Sequence, residues 1–207
     1  MDSGSIAVVA FDCDGVMFDS SEANRAFYNQ VLRHFGLPVM TAEQSAYTHM
    51  HTVDESLRYL IADDATLAAA QQYRKQMGYL GFIRDMVIEP HLKDLLSKLR
   101  PAFKTAIATN RTDTMDRVLA EHDLEGQFDL VVTALDVNHP KPHPEQLQVI
   151  LNHFNIAACQ MIYIGDSTLD AQAAQAADVP FIAFRNASLP ARTHVDSLRQ
   201  VEHILKL

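Results

Sequence analysis

Short, continuously apolar runs recur along this chain and constrain its fold more than any other feature. They are rich in Val, Ile or Phe and too short for typical helices, and they cover residues 6–11, 105–108, 130–133, 161–164 and 181–184. Unbroken apolarity is typical of a strand that is covered on both faces. Segments with helical periodicity (113–121, 144–154 and 168–177) separate the last four runs. The alternation predicts right-handed βαβ units, and therefore an α/β fold with a parallel sheet.

One long interval breaks this alternation. Residues 20–88 contain no strand-like run, only helix-forming sequence such as 22–35, 54–60 and 65–77. So long a stretch is not expected as a loop within a compact domain. We interpret it as an all-helical domain inserted after the first strand, and we divide the chain into a core (1–16 and 89–207) and an insert (17–88). The 207 residues suffice for one substantial core and such an insert.

Composition and charge exclude several classes of protein. The net charge is −9 without a block of like charges, whereas proteins that bind nucleic-acid backbones cluster Lys and Arg. No apolar stretch approaches the roughly 20 residues needed to cross a bilayer, and the first residues, MDSGSIAVVAF, lack the marks of a secretory signal. Cys13 and Cys159 lie too far apart for a CxxC site and match no disulfide scaffold. We expect a cytoplasmic protein with neither a nucleic-acid nor a membrane partner.

Acidic residues follow two of the predicted strands. Asp12 and Asp14 come directly after the first, and Asp166 follows the fourth. Their spacing points both carboxylates of the first pair the same way, and Gly15 permits a sharp turn. Unit charges 4 Å apart repel by about 4 kcal/mol at an effective dielectric of 20, so the cluster needs a cation. Oxygen ligands without His or Cys favour Mg²⁺. The alternative is that these acids form turns or cap helices, which would need no metal. The joint occurrence of acids after both strands favours the metal site.

Thr109 and Asn110 lie between the second strand and a helix. A hydroxyl and backbone N–H groups at such a place can bind phosphate oxygens. Alternatively, Thr109, Asn110 or Thr112 serves as the N-cap of the helix predicted to start at residue 113. The residues alone do not separate these two interpretations.

Lys141 lies in a proline-rich segment after the third strand. Three of the chain's eight prolines fall within residues 140–144, which fixes the backbone around the lysine. Such a segment would hold one ammonium rigidly against an anion. Taken in isolation, a solvated lysine in a turn explains the segment better, with His143 exposed at a helix start.

Two further acids have a structural alternative. Ser167 and Asp170 have the spacing of a capping box, so Asp170 can close the following helix and also orient a metal site. Asp19, with Glu22 three residues later, is interpreted first as a helix N-cap. The remaining histidines are scattered without metal-ligand spacing and are interpreted as surface or satisfied core residues.

Together these segments resemble the four motifs of the haloacid dehalogenase superfamily, in order and in spacing. The segments are Asp12-Cys13-Asp14-Gly15-Val16 with Asp19-Ser20, Thr109-Asn110, Lys141-Pro142, and Gly165-Asp166 through Asp170. The position of the insert is similar to that of the helical cap in the phosphoglycolate phosphatase and β-phosphoglucomutase branch. The resemblance implies a Rossmann-like core sheet, and we call residues 17–88 the cap.

The resemblance also implies roles for these residues. Asp12 would be the nucleophile that forms a phosphoaspartyl intermediate, and Asp14 would be the general acid and base. Thr109, Asn110 and Lys141 would bind the phosphate, with Thr109 and Lys141 also acting in catalysis. Mg²⁺ would be held by Asp12, Asp166 and the backbone carbonyl of Asp14, and Asp170 would support that site. The resemblance therefore implies a Mg²⁺-dependent phosphatase for a small phosphorylated metabolite, phosphoglycolate-like or a sugar phosphate.

Three alternatives stay open at this point. A sugar-phosphate mutase would keep the same four motifs, whereas a non-catalytic module would not need every acid intact. A phosphonatase would need a cap lysine such as Lys75. Residues 20–88 contain six basic residues and seven acids, a balance that favours a small substrate of modest charge. The stretch 49–58 with His51 either faces that substrate or forms solvated surface. We expect a monomer or weak homodimer whose partner is a small phosphate ester.

Overall fold

The computed structural model describes residues 6–100 and 102–207; residues 1–5 and 101, which the predicted core includes, lie outside it. Six parallel strands form the main sheet: β1 (Val8–Phe11), β4 (Lys104–Ala108), β5 (Leu130–Val132), β6 (Met161–Gly165), β7 (Phe181–Phe184) and β8 (Thr193–Val195). Their order is β5-β4-β1-β6-β7-β8, and every neighbouring pair is parallel. The α/β fold expected from the alternating pattern is confirmed.

The register of the central strands aligns their carboxyl ends. Phe11, the last residue of β1, is opposite Ile107 of β4 on one side and Ile164 of β6 on the other. Every residue of β1 and β6 is buried, as their unbroken apolarity predicts. Residues that follow these three strands therefore meet at one edge of the sheet, where parallel sheets bind ligands.

Alternate residues of each central strand pack into different hydrophobic clusters. Val9 and Phe11 join one cluster, whereas Val8 and Ala10 join a second, as a period of two requires. The helices of this part of the chain are α6 (Leu92–Leu99), α7 (Met115–Glu121), α8 (Glu145–Phe154), α9 (Thr168–Ala176) and α10 (Arg199–Leu205). Buried leucines of α6 belong to the first cluster, and Leu147 of α8 to the second. Helices thus cover both faces in a Rossmann-like arrangement.

Residues 20–86 form helices and the turns that join them. The helices are α1 (Ser21–His34), α2 (Ala42–Met50), α3 (Val53–Leu60), α4 (Asp64–Met77) and α5 (Leu80–Ile83). A third hydrophobic cluster joins α1, α3 and α4, with Phe27, Leu57 and Leu67 among its buried residues. None of the helices in the described ranges is long and apolar enough to cross a membrane. The division into a core and a cap stays a prediction.

Several boundaries differ from those expected. No strand was expected within residues 20–88, but β3 (Val87–Ile88) lies there and forms an antiparallel pair with β2 (Phe18–Asp19). The pair joins the entry and exit of the helical insert, where Glu89 also donates its backbone N–H to Met17 O at 2.8 Å. The predicted helix at 113 begins at Met115 with Thr114 as its N-cap. Strand β8 and helix α10 were not predicted, because β8 has three residues of mixed polarity.

Candidate active site

Lys141 lies at the centre of the site and is 3% exposed. Its Nζ donates to Oδ1 of Asp12 and to Oδ1 of Asp170, each at 2.7 Å, and lies 2.9 Å from the Tyr163 hydroxyl. Burial by itself lowers the pKa of the ammonium, but the two carboxylates outweigh burial and the net shift is upward. Lys141 is therefore a buried cation that joins the segments after β1, β5 and β6, and it is not a solvated turn residue.

Asp170 closes the capping box that its sequence spacing predicts, and its second carboxylate oxygen faces the site. Its Oδ2 accepts hydrogen bonds from the backbone N–H and hydroxyl of Ser167, which completes the capping box of α9. Its Oδ1 accepts from Lys141 and from the Tyr163 hydroxyl, the latter at 2.6 Å. Burial opposes ionisation, but Lys141 and these hydrogen bonds lower the pKa of Asp170 below its ordinary value. Asp170 is thus a buried, ionised carboxylate fixed at both oxygens.

Asp166 brings a third carboxylate to Asp12 and Asp170. One oxygen of each lies within 4.8 Å of one oxygen of each of the others. Gly15 makes this approach possible, because its φ is +80° and a Cβ there would collide with the Asp166 carboxylate. Burial, together with repulsion from Asp170 and Asp12, raises the pKa of Asp166 well above its ordinary value. Burial likewise raises the pKa of Asp12 to about 7, although Lys141 opposes the rise.

The chemistry of this donor set fits a divalent cation. All three groups are carboxylates, which are the ligands that Mg²⁺ takes in proteins. With Asp14 the site contains four acidic side chains, and two buried cationic side chains, Arg111 and Lys141, contact them. If all four acids are ionised, two negative charges therefore stay uncompensated. A divalent cation would supply that missing charge.

Asp14 points to a different partner from Asp12. Arg111 donates from Nε to Oδ2 and from Nη2 to Oδ1, both at 2.7 Å. Ser20 also donates its hydroxyl to Asp14 Oδ1. Burial raises the pKa of Asp14, but Arg111 more than compensates and the net shift is downward. In this arrangement Asp14 is an ionised carboxylate held by a bidentate pair.

Thr109 and Asn110 extend the same edge of the sheet. Thr109 is 1% exposed, and its Oγ1 accepts the backbone N–H of Arg111 at 3.1 Å. The Asn110 side chain pairs with the backbone of Lys141, accepting its N–H and donating to its C=O, each at 3.0 Å. The alternative that Thr109, Asn110 or Thr112 caps the next helix is wrong, because that helix begins beyond them. Asn110 thus fixes the segment that carries Lys141.

Arg111 and Tyr163 are site residues that the sequence reasoning missed. Arg111 immediately follows Thr109 and Asn110, and a long cation beside a phosphate-type motif was the available signal. Its guanidinium lies 4.9 Å from the centre of the Tyr79 ring, which belongs to the helical insert. Tyr163 places a hydroxyl within an otherwise apolar strand, β6, which was a weaker signal.

A cavity of about 300 Å³ opens over these residues. Its floor includes Asp12, Asp14 and Lys141, and its roof comes from the helical insert. The roof residues include His49, Met50, His51, Val53, Arg74, Lys75 and Tyr79. Asn110 Nδ2 also donates to Met50 O at 3.2 Å, so a core segment contacts the roof directly. The start of the stretch 49–58 therefore faces the cavity.

Asp19 lies apart from these groups at the start of α1. Its Oδ1 accepts the backbone N–H of Ser21 at 3.1 Å and the Ser21 hydroxyl at 2.6 Å. The N-cap position is Ser20, one residue after Asp19. The capping interpretation therefore needs a correction of one position, although the Asp19 carboxylate does bind the first helical N–H.

This chain is similar to known proteins in sequence and in fold. The sequence model of a family described as haloacid dehalogenase-like hydrolase matches residues 9–184. The phosphoglycolate phosphatase of Aliivibrio fischeri is 28% identical over 183 residues, which span 83% of this chain and 81% of that protein. A haloacid dehalogenase superfamily hydrolase from Geobacter sulfurreducens is 34% identical, with a TM-score of 0.80 and 97% of each chain covered. A β-phosphoglucomutase from Clostridium difficile shares the fold at 19% identity (TM-score 0.86, covering 97% and 96%).

Proposed function

This chain belongs to the haloacid dehalogenase-like hydrolases, and we propose that it is a Mg²⁺-dependent phosphatase of a small phosphorylated metabolite, acting through a phosphoaspartyl intermediate on Asp12. The observation that carries this proposal is the buried contact of Lys141 with Asp12 at the floor of the cavity. A carboxylate nucleophile needs a fixed cation beside it, because the incoming phosphate is itself negatively charged.

Asp12 is the nucleophile of the first displacement in this proposal and the leaving group of the second. One of its oxygens bonds to phosphorus while the ester P–O bond breaks, and water then attacks the phosphorus and releases the Asp12 carboxylate. Lys141 offsets charge on Asp12 and on the transferring group throughout. Thr109 offers its hydroxyl to a phosphoryl oxygen. Because the Asn110 side chain is committed to Lys141, Asn110 contributes to phosphate binding through its main chain.

Asp14 acts as the general acid and base. It protonates the leaving oxygen in the first displacement and accepts a proton from water in the second. Its low pKa beside Arg111 matches the ionised form that the second displacement uses. The acid form, which the first displacement uses, requires the pair with Arg111 to loosen. Arg111 therefore sets the balance between the two roles of Asp14.

Mg²⁺ would be held by Asp12, Asp166 and the backbone carbonyl of Asp14, with Asp170 supporting that site. When bound, the ion stabilises negative charge on the transferring phosphoryl group. The protein contributes the fixed carboxylates and a site largely shielded from water. Asp170 keeps Lys141 in place, and Ser167 keeps Asp170 in place.

The helical insert (17–88) serves as a cap over the core in this proposal. It forms the roof of a cavity of about 300 Å³, which is at the small end for ligand sites. That size supports a small ester, such as phosphoglycolate or a sugar phosphate, as the substrate. The cytoplasmic location and the monomeric or weakly dimeric state are further predictions from the sequence.

Hydrolysis of a panel of small phosphate esters, with and without EDTA, tests this proposal. Asp12→Asn is expected to abolish turnover while preserving the fold. Asp19→Asn, on the nearby exposed turn, is the control and is expected to keep both turnover and the fold. Equal turnover of Asp12→Asn and the wild type would contradict the nucleophilic role. A trapped phosphoenzyme that a sugar phosphate discharges, rather than water, would instead support a mutase.

A further inference from the structure

A second group of potential metal ligands lies outside the cavity, on the segment that carries Lys141. His139, His143 and Glu145 each offer one ligand atom, and the three atoms lie within 4.8 Å of one another. Nδ1 of His139 is 3.1 Å from Glu145 Oε2, and Nδ1 of His143 is 3.8 Å from the same oxygen. Sequence spacing did not reveal this group, because the turn of the segment brings the two imidazoles together.

The separations suit a transition-metal ion. Ions such as Zn²⁺ bind imidazole nitrogen and carboxylate oxygen at about 2.0–2.2 Å. Two ligand atoms of a tetrahedral or octahedral site are then separated by about 3 to 4 Å. The distances of 3.1 and 3.8 Å fall in that range. Small side-chain rotations would therefore bring all three ligand atoms onto one ion. Water can take the remaining positions, because both histidines are exposed.

The protein backbone already orients this group. Glu145 Oε1 accepts the backbone N–H of Asn138 at 3.0 Å, and Oε2 accepts that of His139 at 3.0 Å. The N–H of Asn138 is the main cause that lowers the pKa of the Glu145 carboxyl below its ordinary value. Prolines at 140, 142 and 144 restrict the segment between the ligands. Ligands fixed in this way lose little conformational freedom on binding an ion.

We propose that His139, His143 and Glu145 form a second metal site, which takes a borderline divalent ion of the Zn²⁺ and Co²⁺ class. Two nitrogen donors distinguish it from the all-oxygen site at Asp12, because imidazole prefers these ions to Mg²⁺. An ion here ties residue 139 to residues 143 and 145, and so clamps the segment that holds Lys141. The inference does not depend on the phosphatase reaction.

Titration of the full-length protein with Co²⁺ tests this site, with Mg²⁺ in excess to occupy the carboxylate site. A change in the visible d–d absorption reports that Co²⁺ has left its all-water coordination, and calorimetry with Zn²⁺ gives the affinity and stoichiometry. His139→Ala and His143→Ala are each expected to weaken binding by at least about tenfold. His153→Ala is the matched control, since His153 is an exposed histidine at the other end of α8. It should bind like the wild type.

Three results would overturn the inference. The first is no binding of either ion by the wild type in excess Mg²⁺. The second is equal affinity in His143→Ala and in His153→Ala. The third is loss of Co²⁺ binding in Asp166→Asn alone, which would place the ion at the carboxylate site. Thermal unfolding of each variant without metal is the control for folding, and these substitutions of exposed residues are expected to leave the melting temperature unchanged.

Discussion

Replacement of Lys141 by methionine tests the electrostatic centre of the molecule. Nζ lies 2.7 Å from one oxygen of Asp12 and 2.7 Å from one oxygen of Asp170. At an effective dielectric of 20, a pair of unit charges at that distance is worth about 6 kcal/mol. Two such pairs exceed the several kcal/mol that burial of one ammonium costs. The methionine side chain keeps the length of lysine but leaves both carboxylates buried without their cation.

Removal of one partner from a buried ion pair typically costs about 3–5 kcal/mol. We expect Lys141→Met to lower the free energy of unfolding by about that amount at neutral pH in EDTA. The loss should shrink as the pH falls, because the unpaired carboxylates then bind protons. Urea unfolding curves measure both quantities. Loss of a charge that faces the transition state should also lower kcat by about 10²-fold or more.

Lys104→Met is the matched control. Lys104 lies at the start of β4, 2.9 Å from Asp129, and its side chain is 60% exposed. Exposed pairs contribute about 0–1 kcal/mol, so this variant should differ little from the wild type. The double variant Lys141→Met with Asp170→Asn should lose less stability than the two single losses added together. Equal losses in Lys141→Met and Lys104→Met, or strict additivity in the double variant, would refute the reasoning.

Three other perturbations test separate parts of the site. Gly15→Ala forces a Cβ against the Asp166 carboxylate and should abolish Mg²⁺-dependent activity. Gly126 is the control, because its φ is also positive (+67°) but a Cβ there would meet no atom within 4 Å. Gly126→Ala should therefore cost only about 1–2 kcal/mol of backbone strain, and equal activity in both variants would count against the close approach. Because burial raises the pKa of Asp12 to about 7, the native state holds a proton that the unfolded chain releases above about pH 4. Without divalent ions, the free energy of unfolding should therefore fall between about pH 4 and pH 7, and added Mg²⁺ should remove this decrease. A metal-free free energy that rises over this range would contradict the raised pKa of Asp12. Arg111→Met should lower kcat by about 10²-fold. It should also move the acidic limb of the pH profile of phosphoenzyme hydrolysis to higher pH, because Arg111 lowers the pKa of Asp14. An unshifted limb would show that Arg111 does not control the protonation of Asp14.

Local patterns were sufficient to predict most of the main sheet. Residues 181–184 were identified to the residue as strand β7, and the other runs to within two residues of their ends. These strands are buried on both faces, so their apolarity is continuous and visible in a short window. Strand β8 carries Thr193 and exposed His194 before Val195, and so it lacks that signal. Helix α2 lies in the stretch that was expected to be helical, but its bounds were not identified, because Thr48 is its one buried residue.

The charged network was only partly predictable. The acids at Asp12, Asp166 and Asp170 were identifiable because each follows a strand whose end is marked by sequence. The partner of Asp14 was not, because Arg111 is 97 residues away along the chain. The sequence also did not indicate that the side chain of Asn110 binds the backbone of Lys141, 31 residues away. No local sequence pattern predicts which polar group a side chain will bind in the folded protein.

The amino-acid sequence alone determined the alternation of five parallel strands with helices and the set of acids and lysine at the sheet edge. Both follow from short-range regularities, namely burial periodicity and the residues that terminate strands. Only the tertiary structure decided which carboxylates share a cation, which are ionised, and how large the cavity is. Those properties depend on burial and on distances of a few ångströms between residues remote in sequence. The charge state of a carboxylate is therefore set by how the whole chain packs around it.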